Sequence, residues 1–347
     1  MACLRWGIAS AGMISNDFCV ALKTLNAEEH NIVAVAARSL DRAKEFAERF
    51  SISKAYGSYE ELANDKDIDV VYIGAINTQH VGLSKMMLNC GKSVLCEKPL
   101  GVNLRETKEV LSLAKEKKLF CMEAIWSRFF PAYEEIRSIV NSGKIGDVKY
   151  VYADFGIKDL LDVPRLAKKE MAGGTILDLG IYPVQLAVMI YGDEIPKITT
   201  RGSLTPDEGV DESAVAILQY TGNRLAVVTS HGRVNTNSEA SIVGTKGSIN
   251  VPFPFWCPTK IIVNSDQGQE IKEFPLPDPP LKLNFTNSSG LRYEAEAVRK
   301  CVSEGKLESD FLTHRQSEII ATILENMRHD VGYMLEQDRQ PVVMASQ

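Results

Sequence analysis

Between Leu4 and Ala124 short apolar runs alternate with helix-forming stretches, and few folds accommodate that alternation. Leu4–Ala9, residues 31–37, Val70–Ile73, residues 93–96 and residues 120–124 read as buried strands, with Val70–Ile73 the fourth of six. Residues 13–25, 40–50, 80–89 and 103–118 read as helices between them. Ser39 stands at one helix start, Ser58 and Glu61 form a capping-box pattern at another, and Gly91 stops a third. Strands separated by helices cannot pair as hairpins. They form a parallel sheet with helices on both faces.

Beyond residue 125 the texture changes. Pro131 opens a helix that Gly143 ends, residues 148–155 alternate like a strand, and Gly173-Gly174 lead into a long apolar helix over residues 175–191. From residue 197 to 273 β-rich runs arrive at hairpin spacing: 214–220, 225–230, 240–243, 248–251 and 260–263. Their period of two fits an antiparallel sheet covered on one face. Pro275 to Pro280 is a stiff crossing segment, and residues 291–302 and 313–335 close the chain as helices. The expected architecture is an α/β Rossmann domain over residues 1–125. It is followed over residues 126–347 by an α+β substrate and dimerisation domain with a large open, mainly antiparallel sheet, the closing helices packing back on the first domain. At 347 residues the chain is long enough for two cores. An uncovered apolar sheet face calls for a partner, and a second copy of the chain is the expected one.

A net charge of −6 provides no basic footprint for nucleic acid. No apolar run is read as approaching the roughly 20 residues that span a bilayer, and Met1 to Trp6 run straight into a strand without a leader pattern. The expectation is a cytoplasmic protein without a membrane partner. Seven cysteines form an odd set without a C-x-x-C pair, and the five histidines make no metal-ligand spacing. Buried reduced thiols are expected, and no metal.

In an open parallel sheet ligands bind outside the carboxyl ends of the strands, so the residues there matter most. After the first strand, Ser10-Ala11-Gly12-Met13-Ile14 keep only the middle glycine of a G-x-G-x-x-G fingerprint, the one that lets backbone approach a pyrophosphate. After the second, Arg38, Ser39 and Arg42 stand where an NAD site has a carboxylate. A guanidinium and a helix N-terminus suit the 2′-phosphate of NADP, although Arg38 also reads as a solvated surface arginine. After the fourth come Asn77 and His80, with a capping or structural role for the histidine equally open. After the fifth come Glu97, Lys98 and Pro99, with Pro99 keeping Lys98 extended. In isolation this trio reads as well as a surface ion pair.

Asp178 and Tyr182 lie four apart, on one face of the long apolar helix. A phenol is too weak an acid to act as a base at neutral pH unless an ammonium favours its anion, and Lys98 is the candidate ammonium. The alternative is a half-buried helical tyrosine with Asp178 as its salt-bridge partner. Trp126 follows the sixth strand directly and is the leading candidate for a pocket wall, with Arg128, Phe155, Trp256 and Phe285 as further lining residues.

The first-strand glycine turn, Asn77-Thr78-Gln79-His80, Cys96-Glu97-Lys98-Pro99 and Gly173-Gly174-Thr175-Ile176-Leu177-Asp178-Leu179-Gly180-Ile181-Tyr182 together resemble the glucose–fructose oxidoreductase / inositol dehydrogenase / MocA family over essentially the whole chain. Leu4 to Ile8, Ala55 to Leu62, Met122 to Pro131 and Trp256 to Thr259 resemble its dihydrodiol-oxidising branch. The resemblance implies NADP-linked oxidation of trans-1,2-dihydrodiols of aromatic hydrocarbons to catechols, and of D-xylose and other aldoses to the lactone, by a homodimer. It makes Lys98 catalytic and Asp178 the acid of the family's D-x-G-x-H motif. Tyr182 stands where most of the family has histidine, a departure shared by that branch, which moves the acid/base role to a phenol. Two other readings stay open: a sugar or inositol dehydrogenase with another substrate, and an idle NADP-binding regulator.

Overall fold

The computed structural model describes residues 3–339. Its first sheet has six parallel strands: β1 (Leu4–Ala9), β2 (His30–Ala36), β3 (Lys54–Tyr56), β4 (Val70–Ile73), β5 (Ser93–Glu97) and β6 (Cys121–Ala124), in the spatial order 3-2-1-4-5-6. This is the doubly wound dinucleotide-binding order. β3 is only three residues long, too short for its pattern to register in the sequence. The helices between the strands are α1 (Met13–Leu22), α2 (Leu40–Phe50), α3 (Tyr59–Asn64), α4 (His80–Asn89) and α5 (Leu104–Lys117). Ser58 and Glu61 close the expected capping box on α3, and Asn103 caps α5.

α6 (Pro131–Asn141) leads into the second sheet, which opens with β7 (Val148–Gly156). A short α7 (Pro164–Ala167) and a π-helical turn at Ile176–Gly180 precede α8 (Ile181–Tyr191). The expected single helix over 175–191 is therefore two pieces, and Asp178 and Tyr182 lie on either side of the junction. Strands β8 (Lys197–Leu204), β9 (Asp211–Tyr220), β10 (Arg224–His231), β11 (Ala240–Gly244), β12 (Gly247–Val251), β13 (Lys260–Ser265) and β14 (Gly268–Glu273) follow. With β7 they form one eight-stranded sheet, ordered 14-13-12-11-7-10-9-8, in which only the β7–β10 pair is parallel. α9 (Leu291–Ser303) packs on α1, and α10 (His314–Asp330) on both α5 and α8. One apolar core thus runs from Leu4 and Trp6 through α8 to Leu335, while a second fills the other face of the first sheet.

Two expectations need correction. The stretch Lys169–Tyr191 is, by length and composition, long and apolar enough to cross a bilayer, with mean hydropathy 1.4, so such a run does exist. Its apolar window is 83% buried against the large sheet, as a core helix would be. The thiols are all free, but Cys90 is exposed and Cys3 half-buried. His329 also stands with Glu325 and Asp338 in a cluster whose ligand atoms lie within 4.8 Å of one another, which sequence spacing did not single out. Asp338 there is already engaged by the buried Arg328 guanidinium at 2.8 Å.

Candidate active site

The carboxyl ends of β1, β2, β4 and β5 converge on one edge of the first sheet, and the π-turn of the second domain closes over it. Gly12 is the N-cap of α1 without a side-chain cap, which leaves the first N–H groups of the helix, on Met13 and Ile14, free for an anion. A Cβ on Gly12 would stand 3.6 Å from both the Gly74 carbonyl and Ser10 Oγ, filling the space above the turn. Ser10 takes a φ of 88°, in the region that favours glycine, at the position of the fingerprint's first glycine. Ser39 caps α2 in extended conformation with its hydroxyl unspent on the helix, and Arg38 is exposed beside it. Arg42 reaches the Ala11 carbonyl at 3.4 Å. Tyr59 joins this corner, beside Ser10 and Arg38, although its sequence context marked it only as a helix start. An uncapped helix end, a bare glycine cradle and two arginines fit the pyrophosphate and adenosine end of a dinucleotide.

At the next strand ends, several predicted contacts are already occupied. Asn77 is buried and donates to the Ala172 carbonyl at 3.1 Å. His80 Nδ1 lies 2.7 Å from the Pro99 carbonyl and Nε2 3.0 Å from the Ala75 carbonyl, and the neutral ring donates its one N–H to one of the two. Burial lowers its pKa, more than the two carbonyls raise it. It therefore ties the β4 and β5 loops together instead of meeting a ligand. Glu97 also turns inward, accepting the Tyr72 hydroxyl at 2.6 Å.

Lys98 points the other way. Its ammonium donates to the Asp178 carbonyl at 2.7 Å and lies 3.3 Å from Asp178 Oδ1. The π-turn that presents Asp178 is itself capped: Asp211 Oδ2 accepts from Thr175 N, Thr175 Oγ1 and Ile176 N, each at 2.7 Å. Burial, against those donors, pushes the Asp211 carboxyl up to about 6. Gly174 has a φ of 97°, and a Cβ there would lie 2.1 Å from Asp211 Oδ1, so this position tolerates only glycine. Arg165, which no sequence signal marked, adds a second cation 3.2 Å from Asp178 Oδ1. Burial raises the Asp178 pKa, but Lys98 and Arg165 more than offset it and hold the carboxyl below its usual range.

Tyr182 is buried, and its oxygen accepts the Trp126 indole N–H at 2.9 Å. Lys98 Nζ sits over the phenol ring, 5.1 Å from its centroid, and no hydrogen bond joins it to the hydroxyl among the described residues. Burial first, then the negative charge of Glu97, push the phenol well above its ordinary pKa. The net effect of these surroundings is to favour the protonated phenol, with the Lys98 ammonium over the ring face and not on the hydroxyl.

Phe155 lies 5.7 Å from Tyr182 and stacks on Trp256 at 3.9 Å. Together with Phe253, Thr236, Asn235 and Thr286 they line a cleft of about 380 Å³. Of the expected pocket residues Phe155 and Trp256 line this cleft, whereas Trp126 is buried against Tyr182 and Phe130 and is not among its lining residues. Phe285 is 42% exposed and is not among the lining residues, although its neighbour in sequence, Thr286, is. Arg128 is not brought there: it is fully buried, and its guanidinium donates to Gln185 Oε1, Gln316 Oε1 and the Gln185 and Phe311 carbonyls. A larger hollow of about 900 Å³ near Lys168 and Gln337 lies away from these strand ends.

Residues 4–125 match the oxidoreductase family with an NAD-binding Rossmann fold, and residues 133–250 the GFO/IDH/MocA C-terminal domain. The chain belongs to the GFO/IDH/MocA family. It is a dehydrogenase. It is 49% identical over 337 residues to the trans-1,2-dihydrobenzene-1,2-diol dehydrogenase of Danio rerio, covering 97% of this chain and 99% of that one. With the protein of the same name from Homo sapiens the identity is 45% at the same coverage. Among solved structures, a 3-ketoreductase from Actinomadura kijaniata in complex with NADP superposes with a TM-score of 0.81 at 21% identity, covering 95% of this chain and 98% of that one. A levoglucosan dehydrogenase in complex with NADH and levoglucosan gives 0.82 at 20%, covering 95% and 97%. These two share the fold, and both are dinucleotide complexes.

Proposed function

We propose that this GFO/IDH/MocA dehydrogenase is NADP-linked and oxidises trans-1,2-dihydrodiols of aromatic hydrocarbons to catechols, with D-xylose and related aldoses, oxidised to the lactone, as further substrates. The observation that carries the reading is the buried Tyr182 hydroxyl, held by Trp126 between the Lys98–Asp178 pair and the stacked Phe155–Trp256 wall. An aromatic wall suits a flat, largely apolar ring, and a phenol beside an ammonium suits proton exchange with its hydroxyl. The names of the relatives at 45 to 49% identity support the same substrate.

A nicotinamide dinucleotide bound at the strand edge supplies the hydride acceptor. Ser10, Gly12, Met13 and Ile14 hold its pyrophosphate, and Arg38, Ser39 and Arg42 its 2′-phosphate. Lys98, anchored on Asp178, fixes the substrate oxygen near Tyr182. In oxidation the substrate hydroxyl proton passes to the Tyr182 oxygen as its carbon gives up hydride. The ketone from a dihydrodiol then tautomerises to the catechol. Because burial keeps the phenol protonated, Tyr182 is ready as the acid for carbonyl reduction and must first lose its proton for oxidation. Trp126, donating to the same oxygen, favours that loss.

A sugar substrate is the second reading, favoured by Asn235 and Thr236, polar residues that line the same cleft. The test is NADPH absorbance with benzene dihydrodiol, D-xylose, D-glucose and myo-inositol, each with NAD⁺ and NADP⁺. Turnover with NADP⁺ on the dihydrodiol is expected, and a response only to myo-inositol with NAD⁺ would overturn both substrate and cofactor. The working form is a cytoplasmic homodimer. On the outer face of the large sheet Tyr150, Val215, Ile217 and Leu225 are 38 to 49% exposed on adjacent strands β7, β9 and β10, the kind of apolar patch a second copy covers. Sedimentation equilibrium checks it, and a monomer at micromolar concentration would refute it.

A further inference from the structure

Asp17 lies one turn into α1, the helix that begins at the phosphate-binding turn, and it has no solvent exposure. Its carboxylate accepts from five donors. One is local, Asn16 Nδ2 at 2.9 Å. The other four come from the end of the crossing segment: Asn284 N at 2.9 Å, Asn284 Nδ2 at 2.7 Å, Phe285 N at 2.9 Å and Ser288 Oγ at 2.5 Å. Asn284 Nδ2 also reaches the carbonyl of Met13, the first residue of α1, at 3.3 Å. Three residues of the segment 284–288, more than 260 positions downstream, are thus gathered on one buried carboxylate beside the dinucleotide seat.

The other side of the same segment holds the substrate cleft. Asn287 Nδ2 donates to the Cys257 carbonyl at 2.9 Å, and Cys257 Sγ contacts the Thr286 carbonyl at 3.4 Å. Cys257 follows Trp256, half of the stacked aromatic wall, and Thr286 lines the cleft itself. The chain from Asn284 to Ser288 is therefore a strap with one edge on α1 and the other on the loop that carries Trp256. An isolated salt bridge or a loop cap requires one or two donors. A carboxylate that collects two backbone N–H groups and three side-chain donors holds the strap in a single position.

We propose that Asp17 is a positioning residue: by fixing the 284–288 strap it sets Phe285 and the Trp256 loop relative to the dinucleotide, so that substrate binding depends on a residue of the cofactor domain that touches neither ligand. The kinetic part of this rests on the reading of Phe155, Trp256 and Phe285 as the substrate wall. The structural part does not.

Asp17→Asn keeps the size of the side chain while replacing one acceptor oxygen with a donor that faces donors. Hydrogen exchange read by mass spectrometry is expected to speed up by about tenfold or more in residues 282–290 and 254–259, with β1 and β5 unchanged. At saturating NADP⁺ the KM for benzene dihydrodiol is expected to rise by about tenfold with kcat within about threefold, the split of a lost binding geometry. A general structural defect would instead speed exchange in β1 and β5 and lower kcat. Asn284→Ala with Ser288→Ala removes two donors without touching α1 and is expected to give the same pattern at about half the logarithmic size, which covers the case of an Asp17→Asn chain that does not fold. Unchanged exchange in 254–259, or a fall in kcat with KM unchanged, overturns the proposal. If the wild-type protein does not turn over the dihydrodiol, the substrate reading fails, and the exchange comparison still decides whether Asp17 positions the strap.

Discussion

Trp126 donates its indole N–H to the Tyr182 oxygen across 2.9 Å, joining the end of the first sheet to the core helix of the second domain. The phenol oxygen so held keeps its own proton and a lone pair to exchange with a ligand. Its surroundings act on that oxygen in opposite senses. Burial and the Glu97 charge resist ionisation, while the Trp126 donor assists it. Lys98 lies over the ring face, tethered to Asp178.

Replacing Tyr182 with Phe removes the exchanging oxygen and little else. Loss of positioned acid–base chemistry lowers kcat by about 10²- to 10⁴-fold. The dissociation constant of NADPH, measured by nicotinamide fluorescence, should stay within about twofold, since the pyrophosphate and 2′-phosphate contacts assigned above lie on β1, α1 and α2. Retention of wild-type turnover would remove Tyr182 from the reaction.

Trp126→Phe preserves an aromatic ring against Phe130 but withdraws the donor. A hydrogen bond to a charged acceptor is worth about 1.5–3 kcal/mol, so the phenolate becomes harder to form by roughly one to two pH units. On the proposed mechanism the oxidative rate rises with pH as the phenol loses its proton, and its rising limb should move upward by that amount. Carbonyl reduction, which uses the protonated phenol, should change much less. Paired pH profiles in the two directions separate this from a packing defect, which would depress both.

The parallel character of the first sheet and the residues that follow its strands were legible because β-α alternation and strand-end placement are local properties of the chain. What the sequence hid is directional. Lys98 and Glu97 are neighbours that face opposite sides of the sheet, one toward Asp178 and the other toward Tyr72. His80 and Arg128 looked like contact residues by type, but the His80 ring sits between the Ala75 and Pro99 carbonyls, and carbonyl and amide oxygens from distant segments meet every Arg128 nitrogen. The π-turn before α8 escaped detection because it depends on Asp211, 36 positions beyond Thr175, for its cap. Arg165 was invisible for the same reason: only the tertiary fold brings it to Asp178.

Cofactor choice is expected to rest on Arg38. It is exposed, so Arg38→Ala should leave the fold and its melting temperature intact. A guanidinium bonded to a phosphate contributes about 1.5–3 kcal/mol, so the KM for NADP⁺ should rise by roughly 10- to 100-fold while that for NAD⁺ changes little. Initial rates with each cofactor at saturating substrate check it. Equal rises for both would place Arg38 on a part of the dinucleotide that the two share.

Glu294 on α9 bears on stability and not on turnover. Its side chain is fully buried, and neither carboxylate oxygen has a hydrogen-bond partner among the described residues. Burial and the nearby negative charge of Glu97 raise its pKa well above the ordinary carboxyl value. The sign follows from linkage: a folded state that holds a proton the unfolded chain would release at about pH 4.3 has its full stability below that pH and loses it as pH rises toward the folded pKa. The loss is about 1.4 kcal/mol per pH unit while the group stays protonated in the folded state alone. Glu294→Gln is a permanent analogue of the neutral acid and escapes that loss. Its unfolding free energy in urea should match the wild type near pH 4 and exceed it increasingly from pH 5 to pH 8. A variant less stable at pH 8 than the wild type would mean that Glu294 is ionised in the fold and held by a partner.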